Sequence, residues 1–290
     1  MTRSIVTRPR GVISALLVAT ALILAAGLPA SAAGTEYGGW TSSGTSGAFA
    51  GGLSLTTKGF PAASIANDST SLSTPVAAFL NASTPFGAAY GSSQTKTYLN
   101  TSTAASAAPS TTTYTFESAT PATGWGIAFA DIDADSLKIV ATGPGGTLTA
   151  GQLGFQGTFN FCTAFTPRPS ACGGVQTDVP TWDPTTSTLI GNVADTTGAT
   201  GWFQPTAAIT SITLTFTRLS ATGSPIFQTW VASDTTLVSG TVELPSGDPA
   251  PEGTPLSLQD QAGTEVATTT TEADGTFVFP SAVPGDYDVV

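Results

Sequence analysis

Three aspartates alternate in Asp131-Ile132-Asp133-Ala134-Asp135, the sharpest polar cluster of the chain. Side chains two apart on a strand share a face, so positions 131, 133 and 135 would crowd three carboxylates together. A hard cation or solvent must relieve that crowding, and an oxygen-only donor set suits calcium. The run is not an EF-hand: counted from Asp131, Ser136 stands where glycine is required and Thr142 where a bidentate glutamate closes the loop. The competing reading is a solvated turn between two strands, its aspartates capping backbone amides. Calcium held by Asp131, Asp133 and Asp135 is the only cofactor these residues suggest.

Catalysis is constrained by what is missing. The chain has no histidine, which removes Ser-His-Asp triads, Cys-His pairs and every histidine-containing zinc site. Two carboxylates suffice for glycoside hydrolysis. Upstream of residue 236, however, the only glutamates are Glu36 and Glu117, and neither belongs to a paired-carboxylate motif. The expectation is a non-enzyme.

Cys162 and Cys172 stand at the two ends of a proline-containing loop in FCTAFTPRPSAC. In an exported chain such a pair reads as a disulfide, contributing about 2 to 3 kcal/mol through the unfolded state. Two buried thiols are the alternative. Trp40, Trp125, Trp182, Trp202 and Trp230 offer either stacking platforms for sugar rings or core packing, with one or two exposed at most.

The elements that position these residues begin with an export signal. Arg3, Arg8 and Arg10 precede an apolar run from Val12 to Leu28, then Pro29 and the small residues Ala30-Ser31-Ala32-Ala33. This is the pattern of a signal peptide over residues 1–32 with an Ala-x-Ala cleavage site. No later run approaches the roughly 20 apolar residues of a membrane span, so no membrane insertion is expected after cleavage. Loss of the signal leaves Lys58, Lys96, Lys138, Arg168 and Arg218 against 19 acidic residues. Scattered singly, they cannot supply the clustered cations that nucleic acid demands.

Beyond the signal, period-two alternation dominates. Residues 209–217 (ITSITLTFT) alternate Ile212, Leu214 and Phe216 with threonine, and Thr111–Phe116, Trp125–Ala130, Ser136–Ala141 and Ile226–Ala232 are further strand candidates. Turn formers such as Gly143-Pro144-Gly145-Gly146 separate them. The pattern predicts an all-β chain with a large antiparallel β-sandwich or jelly roll over 33–235. From 236 to 290 tryptophan and cysteine vanish and short strands follow closely: Leu237–Leu244, Pro255–Gln259, Glu265–Thr270, Thr276–Phe279 and Asp286–Val290.

This second segment resembles the prealbumin-like repeats of carboxypeptidase regulatory-like domains, Cna B-type repeats and serine-aspartate-repeat (SdrD B-like) surface proteins of Gram-positive bacteria. The residues that carry the resemblance are Val238-Ser239-Gly240-Thr241-Val242, Pro255-Leu256-Ser257-Leu258, Ala273-Asp274-Gly275-Thr276-Phe277-Val278-Phe279 and Val283-Pro284-Gly285-Asp286-Tyr287. It implies a small seven-stranded, Ig-like sandwich used as a stalk, here partial because the family pattern continues past Tyr287-Asp288-Val289-Val290. Some members lock themselves with a lysine-asparagine isopeptide bond. Residues 234–290 contain neither lysine nor asparagine, so the resemblance is to uncrosslinked members.

More loosely, residues 124–135 and the pair Gly201-Trp202-Phe203-Gln204-Pro205 and Phe227-Gln228-Thr229-Trp230 resemble the amino-terminal regions of actinobacterial surface proteins. The resulting expectation is a non-catalytic, secreted or cell-surface protein for adhesion, display or stalk formation, meeting an extracellular protein or glycan ligand. A carbohydrate-binding module is the alternative, and a glycan hydrolase a more distant one.

Overall fold

The computed structural model describes residues 31–103, 108–165, 170–192, 194–220 and 225–290. Residues 1–30 of the expected signal lie outside them. Among the described residues no helix is long and apolar enough to cross a membrane.

The chain is all-β, with two large antiparallel sheets face to face and a small third sheet at the carboxyl-terminal end. In hydrogen-bonded order, the first sheet runs Phe155–Asn160, Ala199–Phe203, Trp125–Ala130, Ile226–Thr241, Leu99–Ser102 and Ser71–Ser73, with Ser31–Tyr37 also paired to Ile226–Thr241. The second runs Thr181–Asp183, Thr188–Ile190, Asp135–Gly143, Ser211–Arg218, Ser110–Phe116, Ala63–Asn67, Ala48–Ser54 and Gly39–Thr45.

Alternation explains the second sheet. Ile212, Leu214 and Phe216 are buried against the first sheet, while Thr213 and Thr215 stand on the outer face beside Thr113 and Thr111. The first sheet obeys a different rule. All six residues of Trp125–Ala130 and all five of Ala199–Phe203 are buried, because this sheet is covered on both faces. Its inner face joins the main core with Leu53, Ile65, Tyr114, Phe129 and Phe227. Its outer face carries a second cluster, including Tyr37, Phe86, Tyr90, Trp202 and Trp230, beneath the helix Pro85–Tyr90 and the cysteine loop. Sheets buried on both sides read as continuous apolar runs.

Two short helices arise from local capping that the threonine-rich background obscures. Thr84 accepts a hydrogen bond from Gly87 N at 3.0 Å with Pro85 at the first helical position. Thr149 and Gln152 form a capping box over Ala150–Leu153.

The strand Ile226–Thr241 is longer than the sequence predicts. Its first part pairs with Leu99–Ser102 and Trp125–Ala130, and its end pairs with Thr276–Ala282 through Val238 opposite Phe279 and Thr241 opposite Thr276. The expected boundary between 235 and 236 therefore falls inside one uninterrupted strand. The third sheet orders Glu265–Thr270, Pro255–Gln259 and Asp288–Val289 around a core of Leu256, Leu258, Phe277, Phe279 and Ala282. A second link joins the two bodies: Lys58 N donates to Ser281 O at 2.7 Å and Val283 N to Lys58 O at 2.9 Å. Val283 belongs to the main core, and Tyr287 packs against both cores.

Candidate functional site

The acidic run lies where the chain crosses from the first sheet to the second, between Trp125–Ala130 and Asp135–Gly143. Residues 131–134 are a loop and Asp135 opens the next strand, so the three aspartates do not alternate on one strand as expected. Asp131 adopts a left-handed backbone with φ of 65°, a conformation aspartate tolerates better than most residues. Ile132 turns inward, fully buried, and its amide donates to Ala199 O at 3.0 Å. The left-handed backbone at Asp131 is what breaks the alternation, since a strand needs extended residues throughout.

A second loop, distant in sequence, folds over the first. Asp133 accepts Thr196 N at 2.9 Å and Thr196 Oγ1 at 3.3 Å, and Asp131 accepts Gly198 N at 3.2 Å. Asp178 accepts Thr196 Oγ1 at 2.7 Å and also bonds Asn192. Asn160 Nδ2 ties the same region together, donating to Asp178 O and Thr197 O, each at 2.9 Å. Gly191 is required for the fit: a Cβ there would lie 2.0 Å from Asp133 O.

Asp131 and Asp133 thus do cap backbone amides, yet this is no solvated turn. Asp133 and Asp135 are each only 3% exposed. Burial, reinforced by repulsion from Asp133, pushes the Asp131 carboxyl up to about 7, against the pull of the Gly198 amide. Burial and Asp133 likewise raise Asp135 to about 7, and the Arg218 guanidinium opposes them. Asp133 is raised by burial despite its hydrogen bonds to Ala134 and Thr196. Asp195 repels all three. Desolvation of the charged form dominates throughout.

The cluster therefore includes Asp178, Asp195 and Thr196, which the sequence shows only as members of separate turns. Beside it lies an open cleft of about 530 Å³ lined by Asp131, Asp195, Gly173, Gly174, Val175 and Ile226, among others. Among the described residues no group of three or more acidic side chains is arranged to hold a metal ion.

Cys162 and Cys172 form a disulfide with a Cα separation of 5.4 Å, and both are buried. The Asn160 side chain accepts Cys162 N at 3.0 Å, so the disulfide packed in the second cluster is tied to the acidic region. The tryptophans fall within the expectation of one or two exposed at most and take the core-packing alternative. Trp40, Trp125, Trp202 and Trp230 are 6%, 0%, 9% and 0% exposed. Trp182 is half-buried and stacks on Phe155 at 5.4 Å. None stands exposed: Trp125, Trp202 and Trp230 lie on the sheet covered on both faces, while Trp40 and Trp182 lie on the second sheet and pack on the main core.

Residues 237–290 match the family model described as the second beta sandwich domain of BOS complex subunit NOMO1-like proteins, a relative of carboxypeptidase regulatory-like domains. No curated protein matches the chain. Among solved structures, the T6 backbone pilin of serotype M6 Streptococcus pyogenes, described as a modular three-domain structure, aligns at 9% identity with a TM-score of 0.20. The alignment covers 84% of this chain and 58% of the pilin, so the chain spans little more than half of the pilin's length. Residues 237–290 are thus similar to a NOMO1-like β-sandwich domain.

Proposed function

We propose that this chain is a non-catalytic, exported protein that displays its large sandwich at a cell surface or within an extracellular structure, for adhesion or as part of a stalk. The observation that carries this reading is the uninterrupted strand Ile226–Thr241. It continues a sheet of the large body into the small one, and Val283 and Tyr287 wedge beside it. A joint built from a shared strand resists bending, whereas a linker would allow independent motion. The buried disulfide supports an oxidising destination. Burial of the tryptophans weakens the carbohydrate-binding alternative, which would need an exposed stacking surface.

Intact producing cells treated with a membrane-impermeant amine reagent should yield labelled chain, since Lys58 and Lys138 are exposed. A strain lacking the protein should adhere less to extracellular polymers. Label found only after lysis would overturn export, and unchanged adhesion would overturn the adhesive role.

A further inference from the structure

We propose that the outer strand of the second sheet, Gly39–Thr45, is a self-association edge, on which a second copy of this chain adds its own Gly39–Thr45 antiparallel about a two-fold axis. The proposal goes beyond display at a surface and holds wherever the chain resides, so its failure and that of the display reading are separable.

The last strand of a sheet leaves the N–H and C=O of every second residue pointing away from its neighbour, a template for another strand. Proteins blunt such edges with charge, proline, bulges or short strands, and the other edges of this molecule are managed in those ways. Phe155–Asn160 shifts register between Phe155 and Gly157. Ser71–Ser73 and Thr181–Asp183 are three residues long, and Gly146–Thr147 and Asp288–Val289 two. Ser31–Tyr37 is bulged, carries Glu36 and is tied to the end of the helix Pro85–Tyr90 through Thr35 and Tyr37. In the small sandwich, Thr276–Ala282 contains Pro280, and Glu265–Thr270 opens on a glutamate beside a register shift.

Gly39–Thr45 has none of these devices. It is seven residues long, it pairs with Ala48–Ser54 without a register shift, and among the described residues no strand pairs with its other side. All its residues except Trp40 are exposed, and all of those are glycine, serine or threonine. No charged residue occurs between Gly38 and Thr57.

Side chains so small offer neither pocket nor charge for reading a foreign sequence, so recognition must run through backbone and shape. A second copy meets both demands. The chain carries a formal net charge of −11, and this uncharged edge is where two acidic copies approach with least repulsion. An isologous pair uses the same patch twice. With the axis at Ser42, Thr41 falls opposite Ser43 of the copy, and Trp40, the one bulky residue of the strand, falls opposite Gly44, which has no side chain. The second sheet would then run unbroken through both copies.

The test uses the full chain after signal removal, in sedimentation equilibrium over rising protein concentration at low and high salt. The expected result is a monomer–dimer equilibrium that tightens with salt, because screening relieves repulsion between acidic copies. Ser42→Lys sets like charges opposite each other on the axis and should weaken the dimer at least about tenfold. Thr181→Lys, on the opposite edge of the same sheet, makes the same change in net charge and should leave the dimer intact. Both should melt with the parent, since both positions are exposed. The two native cysteines are already paired, so Ser42→Cys should join copies by a single reducible disulfide under air oxidation. A parent that stays monomeric at every concentration and salt overturns the edge, as does a dimer that Ser42→Lys leaves unchanged or that Thr181→Lys weakens equally. Should Ser42→Lys fail to fold, the crosslink decides: no disulfide-linked dimer of Ser42→Cys, at concentrations where the parent is dimeric, overturns the proposal.

Discussion

Asp133 and Asp274 meet the same chemistry and respond in opposite directions. Each carboxylate accepts the backbone N–H and the hydroxyl of one threonine: Thr196 for Asp133, and Thr276 for Asp274 at 3.0 and 2.6 Å. Asp274 lies in the small sandwich on an exposed turn, and those hydrogen bonds hold its carboxyl below the ordinary carboxylate range. In the large sandwich Asp133 is buried among other aspartates, and desolvation lifts its carboxyl despite the same pair of bonds. The partner of Asp274 is two residues away, whereas that of Asp133 is 63 away. Local turn chemistry thus ends as an ordinary cap in one body and as a charged, buried junction in the other. What differs is the burial that only the double-covered sheet supplies.

The largest expected effect tests whether the small sandwich owns its stability. Its core is small and leans on Val283, Tyr287 and a strand held by the large sheet. Residues 237–290 expressed alone should therefore show no strongly protected amides in hydrogen exchange, while the same residues in the full chain should. Protection in a monomeric fragment would break the comparison.

Next in size is Ile132→Ala. Removal of this fully buried anchor should cost about 2 to 5 kcal/mol in denaturant unfolding. The equivalent truncation at Val278, 45% exposed on the small sandwich, should stay within about 0.5 kcal/mol. Equal losses would show that the acidic loop is not set by its buried anchor.

A smaller effect is the pH dependence of stability. Folded Asp131 and Asp135 keep their protons up to about pH 7, whereas unfolded aspartates have released theirs above about pH 4. Between these values the folded state binds more protons than the unfolded state, so stability falls as pH rises through the window and levels off above it. Asp135→Asn should flatten that slope, as urea melts at pH 5 and pH 8 would read directly. A parent whose stability rises across the window contradicts the burial of these groups.

The smallest effect has the opposite sign. Asp274 has a depressed value, so its contribution is present above the ordinary carboxylate range and lost as pH falls through its folded pKa. Asp274→Asn should lower stability slightly at pH 7 and not at pH 2, in the same urea melts.

The strands were legible in the sequence because alternation is a local signal. Trp125–Ala130, Pro255–Gln259 and Glu265–Thr270 occur with the bounds that the pattern predicts, and Ile212, Leu214 and Phe216 face inward as their spacing requires. The disulfide was legible too, from two cysteines ten residues apart. Asp131, Asp133 and Asp135 stood out as a cluster, but their arrangement did not. No local rule says that Asp131 turns left-handed, or that Asp195 and Thr196 return some 60 residues later to cover the loop.

The fate of the tryptophans and the length of the strand Ile226–Thr241 were equally hidden, since both depend on which surfaces become covered and which strands find partners. Residue type and spacing determined the sheets, the turns and the chemistry on offer. Burial on both faces of the first sheet, a property of pairings distant in sequence, decided which carboxylates lost their water, because desolvation depends on every neighbour in space and on none in particular along the chain.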